Sequence, residues 1–298
     1  MARASDTVEW PTLLLIAACH ALWAVATTWA AALWLPIGVV LLTLAVTLHS
    51  SLQHEVLHGH PFQSRRWNEA LVFLPVGLFF PYGRFRDLHL AHHRDERLTD
   101  PYDDPESNFL DPRVWAGLPR WRKAVLRLNN TLLWRIAIGP ALSVIAILRD
   151  DARAIRRGDR RIARDWALHL AGLVLVGIWI AVAAIPLWAY VLSAYLGMSV
   201  LKIRTFLEHR AHEDAPGRTV VVEHGGVLGF LFLYNNLHIV HHTRPRVPWY
   251  RLPALYAAER EVFLARNHGY SYRSYGEIFR RYFLRAKDPV PHPLRRWN

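Results

Sequence analysis

The run Ile37-Gly-Val-Val-Leu-Leu-Thr-Leu-Ala-Val-Thr-Leu-His-Ser-Ser-Leu-Gln-His-Glu-Val-Leu-His58 decides the architecture. Its first half is apolar, it turns polar at His49, and it ends in His54 and His58. Residues four apart share a helix face, so the run reads as a membrane helix emerging from the bilayer with two imidazoles on one side. Upstream, Thr12 to Leu35 is apolar and long enough to span. Pro36 permits a tight turn, which makes the two runs a hairpin with the N-terminus and His54/His58 on the same side. Arg3, Asp6 and Glu9 precede the first run, and no small-residue cleavage site ends it, so it is expected to be an anchor. Trp10, Trp23, Trp29 and Trp34 fit an aromatic belt at the bilayer edges.

Downstream, Leu71 to Phe80 is short and interrupted by Pro75 and Gly77, which suits an interfacial or re-entrant segment. Leu132 to Leu148 is weakened as a span by Arg135 and Pro140. Asp150 to Asp165 reads as a charged linker with six arginines. Trp166 to Ile185 and Leu187 to Ile203, separated by Pro186, form a second hairpin, and Gly225 to Tyr234 is again short and interfacial. If Leu132–Leu148 crossed, the arginine-rich linker would lie outside, against the positive-inside rule. The expectation is therefore an all-α membrane protein with four transmembrane helices in two hairpins (12–33, 37–57, 166–185 and 187–204). Segments 58–165 and 205–298 form a cytoplasmic or interfacial helical cap carrying the histidine-rich stretches, the whole being one domain over 1–298.

Composition narrows the function classes. A hydrophobic fraction of 52% with a formal charge of +12 suits a membrane protein with basic loops, and the apolar runs argue against nucleic-acid binding. Cys19 is the single cysteine. An intrachain disulfide, a cysteine-ligated iron–sulfur cluster and a four-cysteine zinc site are all excluded.

Histidines are concentrated instead. Of the 17 in the chain, most fall in His54/His58 with His60, His89-Leu-Ala-His92-His93, His209/His212, and His238-Ile-Val-His241-His242. Neutral imidazole is the commonest metal ligand, and so many rings exceed what one ion can use; two first-row transition ions suit them. A rival motif is His54-Glu55-Val56-Leu57-His58, the H-E-x-x-H pattern of zinc hydrolases with Glu55 as general base. That reading leaves the shared H-x-x-H-H spacing of the other two clusters unexplained. A metal transporter would place its ligands near the bilayer midplane, whereas these lie at or beyond the ends of spans.

The order H-x3-H, H-x2-HH, H-x2-HH on two membrane hairpins resembles the integral-membrane fatty acid desaturase family, over roughly Thr12 to Tyr256. Its wider superfamily includes acyl hydroxylases and carotenoid ketolases and hydroxylases. The resemblance implies two Fe2+ ions held by His54 and His58, by His89, His92 and His93, and by His238, His241 and His242. It also implies one further ligand upstream of the third cluster, His209 or, in reserve, His212. Asp100-Pro-Tyr-Asp-Asp-Pro-Glu106 resembles the D-P-D/E element of ketolase-like and bacterial branches, and the stretch from Asn235-Asn-Leu-His238 through Pro248-Trp-Tyr-Arg-Leu-Pro253 is similar to bacterial members. The implied activity is O2-dependent insertion of a double bond into an acyl chain or similar amphiphile in the membrane. The alternatives are hydroxylation or ketolation of a carotenoid or other lipid, or desaturation of a small amino-acid-like molecule. No cytochrome b5-like segment is recognisable, so electrons are expected from a separate ferredoxin, rubredoxin or cytochrome b5-like carrier with its reductase. The implied setting is a bacterial inner membrane with both termini and the active site cytoplasmic.

Around the clusters, Glu55, Asp104 and Glu208 are candidates for carboxylates that orient imidazole N–H groups, each weighed against a solvated charge. Asn235 and Asn236 are candidate caps of the helix bearing His238, and Asn236 also a holder of a metal-bound water. Arg84, Arg86 and Arg94 suit snorkelling toward headgroups. His60 points off its helix face, which suits support or a surface position. His20, His49, His169, His224, His268 and His292 read as ordinary polar residues.

Overall fold

The computed structural model describes residues 8–93 and 95–295; Arg3, Asp6 and Arg94 lie outside the described residues. Two compact units are built from interleaved stretches, Met1–Arg86 with Ala146–Met198 and Asp87–Ile145 with Ser199–Asn298.

In the first unit, α1 (Trp10–Leu33) and α2 (Leu35–Leu57) make the expected hairpin. The break is at Trp34, whose extended backbone (φ −160°, ψ 112°) lets the helix restart with Pro36 in its first turn, where a missing N–H costs nothing. A Cβ on Gly38 would stand 2.8 Å from the Ala31 Cα and 2.9 Å from the Ala26 carbonyl oxygen. Only glycine lets the two backbones approach this closely, the small-residue contact that drives association of membrane helices. Trp23, Leu42, Ala45, Val46, Val176, Ile185 and Ala189 form the core. Its polar atoms are paired, as apolar surroundings demand. Trp23 Nε1 donates to the Tyr190 hydroxyl (2.8 Å), which donates to the Val76 carbonyl (3.1 Å), and Trp179 Nε1 donates to Thr27 Oγ1 (2.9 Å).

After α3 (Arg65–Leu71), residues 72–81 carry no helix, and α4 (Tyr82–His92) follows. Leu132–Ala137 forms a short helix, and α5 (Gly139–Arg156) begins just beyond it. Asp150–Asp165 corrects the expectation of a linker. α5 continues to Arg156, and α6 (Arg160–Val182) starts ahead of the expected Trp166. The cause is local: the Asp159 carboxylate accepts from the backbone N–H groups of Arg161 and Ile162, both at 3.0 Å, a strong N-cap. Asp151 in turn binds Arg84 (2.8 Å) and Trp166 Nε1 (2.9 Å). The charges therefore ride on helix ends.

Among the described residues three helices are long and apolar enough to cross a membrane, α1, α2 and α6. α6 exposes Leu170, Val174, Leu175, Ile178 and Val182, an outer face suited to lipid rather than water. α7 (Leu187–Thr205) occupies the expected fourth span and exposes Leu187, Trp188, Val191, Leu192 and Leu196, but is not one of those three.

The second unit is a set of short helices around a small parallel sheet of β1 (Val221–His224) and β2 (Ser271–Ser274), in the register Val221↔Ser271 and Val222↔Tyr272. Helix α8 (His238–Thr243) is pinned beside β1: Val222 N–H donates to the Asn236 carbonyl (2.8 Å), and Ile239 N–H to that of Val220 (3.2 Å). Ile239 and Val240 pack with Val221, Leu237, Leu252, Tyr256 and Phe263. α9 (Tyr275–Tyr282) follows β2 directly.

Candidate metal centre

On α8, Ile239 and Val240 belong to the apolar core, which leaves His238, His241 and His242 on the remaining face as i, i+3 and i+4; all five residues are buried. Just upstream, Leu233 and Tyr234 both sit at positive φ (51° and 55°), a conformation that costs a side-chain-bearing residue about 1–3 kcal/mol. This turn delivers Asn235 and α8 to their places. His89 and His92 lie in the last turn of α4, and His93 extends it through its N–H to the His89 carbonyl (3.1 Å). His209 follows α7 and is held by a bridge to Thr219 and by Lys287 Nζ, which donates to its carbonyl at 2.8 Å.

These elements bring seven imidazoles of the second unit together. His92, His209, His238 and His242 form one group, with His92 Nε2 and His238 Nε2 at 2.9 and 3.1 Å from His209 Nε2. His89, His93 and His241 form the other, with His89 Nε2 and His241 Nε2 at 2.9 and 3.1 Å from His93 Nε2. The groups adjoin: the rings of His93 and His242 stack at 4.3 Å. An octahedral edge built on metal–nitrogen bonds of about 2.1 Å is about 3.0 Å long. The donor set therefore fits first-row ions ligated by nitrogen.

On three of the rings the other nitrogen is tied outward. His92 Nδ1 bonds Asp104 Oδ1 (2.7 Å), His89 Nδ1 bonds Glu106 Oε1 (3.1 Å), and His238 Nδ1 bonds Asn235 Oδ1 (2.8 Å). Such partners fix the tautomer and aim Nε2 at the metal. Asp104 is itself fixed by the N–H groups of Thr99 (2.8 Å) and Glu106 (2.9 Å). Burial alone would lower the His92 pKa, but Glu106, Asp104 and Glu208 lift it to about 9. Burial, with positive charge at His92 and His242, holds His209 and His238 well below the usual histidine range. Glu106 is drawn down by His89 and His92 against its own burial, whereas burial raises Glu208 despite Arg204 at 2.8 Å.

The first unit carries His54 on the last turn of α2 and His58 as the residue that ends it, ring centroids 4.9 Å apart. Glu55 Oε1 lies 3.7 Å from Nε2 of the buried His60, whose Nδ1 bonds Glu9 (2.7 Å). Glu208 sits 3.7 Å from His238 Nδ1. Asn236 donates to the Val222 carbonyl (2.7 Å), and the position before α8 is Leu237 with no side-chain cap. Neither asparagine therefore caps α8, a correction that makes Asn235 a partner of the His238 ring instead. His212 lies in a different cluster, with Asp214 and His268. Sequence alone does not single out Glu106; its signal is its place in the acidic stretch after His93, of which Asp104 and Glu106 reach the α4 rings.

A family model described as fatty acid desaturase matches residues 27–276. The chain is similar to the beta-carotene ketolase of Paracoccus sp. (strain PC1), 28% identical over 80% of this chain and 82% of the relative. It is also similar to the fatty acid desaturase of Bacillus subtilis (strain 168), at 24% over 71% and 66% of the two chains. The sn-1 oleoyl-lipid 12-desaturase of Anabaena variabilis is 23% identical over 76% and 69%. With three helices long and apolar enough to cross a membrane, a histidine-lined centre and a family match over most of its length, this chain is a membrane oxidoreductase belonging to the fatty acid desaturase family.

Proposed function

We propose that the chain inserts a double bond into an acyl chain or similar amphiphile, using O2, two Fe2+ ions and electrons from a separate ferredoxin, rubredoxin or cytochrome b5-like carrier. One ion would be held by His92, His209, His238 and His242. The other would be held by His89, His93 and His241, with His54 and His58 assigned to it on the sequence pattern alone. The observation that carries this reading is the pair of adjoining imidazole groups whose Nε2 atoms converge at 2.9–3.1 Å. A single-zinc hydrolase built on His54, Glu55 and His58 has no use for them.

When bound, the iron pair supplies the activation of O2 that an unreactive C–H bond requires. The chain holds the donors in place. Asp104, Glu106 and Asn235 keep the rings of His92, His89 and His238 in the tautomer with Nε2 inward, and burial keeps His209 and His238 neutral. In the balanced reaction, hydrogens from two adjacent carbons, two electrons and two protons reduce O2 to two waters. We place the chain in a bacterial inner membrane with α7 as a fourth span and the termini and centre cytoplasmic. A second reading, hydroxylation or ketolation of a carotenoid-type lipid, is favoured by the similarity to the Paracoccus ketolase.

The test is metal content and lipid profile together. Detergent-purified protein should hold about two irons, lost in His241→Ala, and expressing cells should gain an unsaturated lipid only with the wild type. One zinc retained in His241→Ala would sink the di-iron reading. An oxygenated lipid in place of a new alkene would move the assignment to the second reading.

A further inference from the structure

Residues 209–219 of the second unit make a short excursion, closed at its base by the His209–Thr219 bridge and by the Arg210 N–H donating to the Arg218 carbonyl (2.9 Å). His212 and Asp214 stand on it. Facing them is His268, placed by a left-handed turn (φ 53°). One ligand atom from each of these three residues lies within 4.8 Å of the others. His268 Nε2 is 3.1 Å from Asp214 Oδ2, and the rings of His212 and His268 lie 4.6 Å apart. None of the three belongs to the imidazole groups described above.

The seat of each ligand is built. Arg218 donates to the carbonyls of His212 (2.8 Å) and Glu213 (3.1 Å), and it reaches the Leu98 carbonyl (2.8 Å) with the same guanidinium. Arg210 donates to the carbonyl of Gly217 (2.9 Å) and reaches those of Asn267 (3.4 Å) and His268 (3.5 Å), its charge lying 4.4 Å from the centre of the Tyr270 ring. Two rigid forks thus fix the backbone on both sides of the cluster. Gly217 completes the seat, since a Cβ there would stand 2.4 Å from His212 Nδ1. The His268 and Asp214 side chains are 46% and 65% exposed, so the open side of the cluster meets solvent.

A hydrogen bond between His268 and Asp214 accounts for one contact. It does not account for a second imidazole held beside that pair in a slot only glycine leaves open. The Asp214 N–H donates to His212 Nδ1 at 3.1 Å, and the same nitrogen lies 3.2 Å from the Asp214 carbonyl, so the turn itself holds the ring beside its two neighbours. The edge of a tetrahedron built on bonds of about 2.1 Å is about 3.4 Å, close to the His268–Asp214 separation. We infer that His212, Asp214 and His268 form a second, surface metal site for a divalent ion of the Zn2+ type, bound by two imidazoles and one carboxylate, with water completing the shell. An ion there ties the excursion that begins at His209 to the turn at His268.

The test uses full-length, iron-loaded protein in detergent, dialysed against buffered micromolar Zn2+, with zinc and iron counted by mass spectrometry. Wild type should take up one zinc beyond its iron complement. His268→Ala and Asp214→Asn should bind that zinc at least about tenfold more weakly, with iron unchanged. Gly217→Ala, which removes no ligand, should weaken it as well. Zinc should raise the thermal unfolding midpoint of wild type and leave those of His268→Ala and Asp214→Asn unmoved. No extra zinc in wild type, or zinc held equally well by His268→Ala and Asp214→Asn, would overturn the site. Each variant is compared with wild type at the same loading of the main centre, so failure of the iron assignment is read separately.

Discussion

Asp104 and His92 form a buried pair: the carboxylate accepts from the ring Nδ1 at 2.7 Å, and each side chain is 2% exposed. Both oxygens of Asp104 are committed, Oδ1 to the ring and the Glu106 N–H and Oδ2 to the Thr99 N–H. Asp104→Asn keeps the volume but turns one acceptor into a donor aimed at a donor. Loss of a partner behind a metal-binding imidazole weakens binding by about 10–100-fold. Competition with a graded chelator should show that drop, and unchanged affinity would mean that Asp104 is structural only.

Tyr190 stands between the Trp23 indole and the Val76 carbonyl. Tyr190→Phe leaves the Trp23 N–H without its acceptor and the Val76 carbonyl without its donor, at about 1–3 kcal/mol. A fall in the thermal midpoint in detergent, with metal content retained, is the expected result. An unshifted midpoint would show that the two groups find partners elsewhere.

Glu69 pairs with Arg65 one turn back on α3 (2.8 Å) and links α3 to α4 through Arg86 (2.6 Å). Burial pushes its pKa up, but the two guanidinium groups outweigh this and hold it below the usual carboxylate range. Its contribution is therefore whole above the unfolded value of about 4.3 and fades as pH falls through the lowered folded value. Glu69→Gln should cost up to about 1 kcal/mol at pH 7, the partly exposed pair being screened by solvent. The gap between variant and wild type should close in unfolding curves below pH 4; a gap that persists there would exclude the ion pair as its cause.

Whether α7 crosses is a question of parity. With four spans both chain ends share a side, so a green fluorescent protein fused at the C-terminus should fluoresce, and alkaline phosphatase there should be inactive. The reverse pattern, with the same reporters placing the N-terminus in the cytoplasm, would leave α1, α2 and α6 as the spans among the described residues.

The crossing helices were legible because length and apolarity act locally: Thr12–Leu35 and Ile37–Leu57 announce a hairpin, and Pro36 marks its corner. The histidine spacing was equally plain, since i, i+3 and i+4 define a face whatever surrounds the helix. What sequence concealed were relations between distant segments. Asp150–Asp165 looks like a linker by charge, and only the Asp159 cap and the Arg84–Asp151 pair make it two helix ends. Asn235 resembles a cap until its side chain is seen on the His238 ring. His268 looked like a lone surface histidine, because its neighbours His212 and Asp214 lie more than fifty positions away in the chain.

The turn at Leu233 and Tyr234 has a bearing on engineering. Glycine at either position would relax the backbone, and a screen for heat resistance would tend to select it. The same change would loosen the segment that aims His238, His241 and His242. Hardiness and turnover are thus set against each other at two adjacent residues outside both imidazole groups, and a programme to toughen this chain should leave that turn alone and work on the exposed faces of its long apolar helices instead.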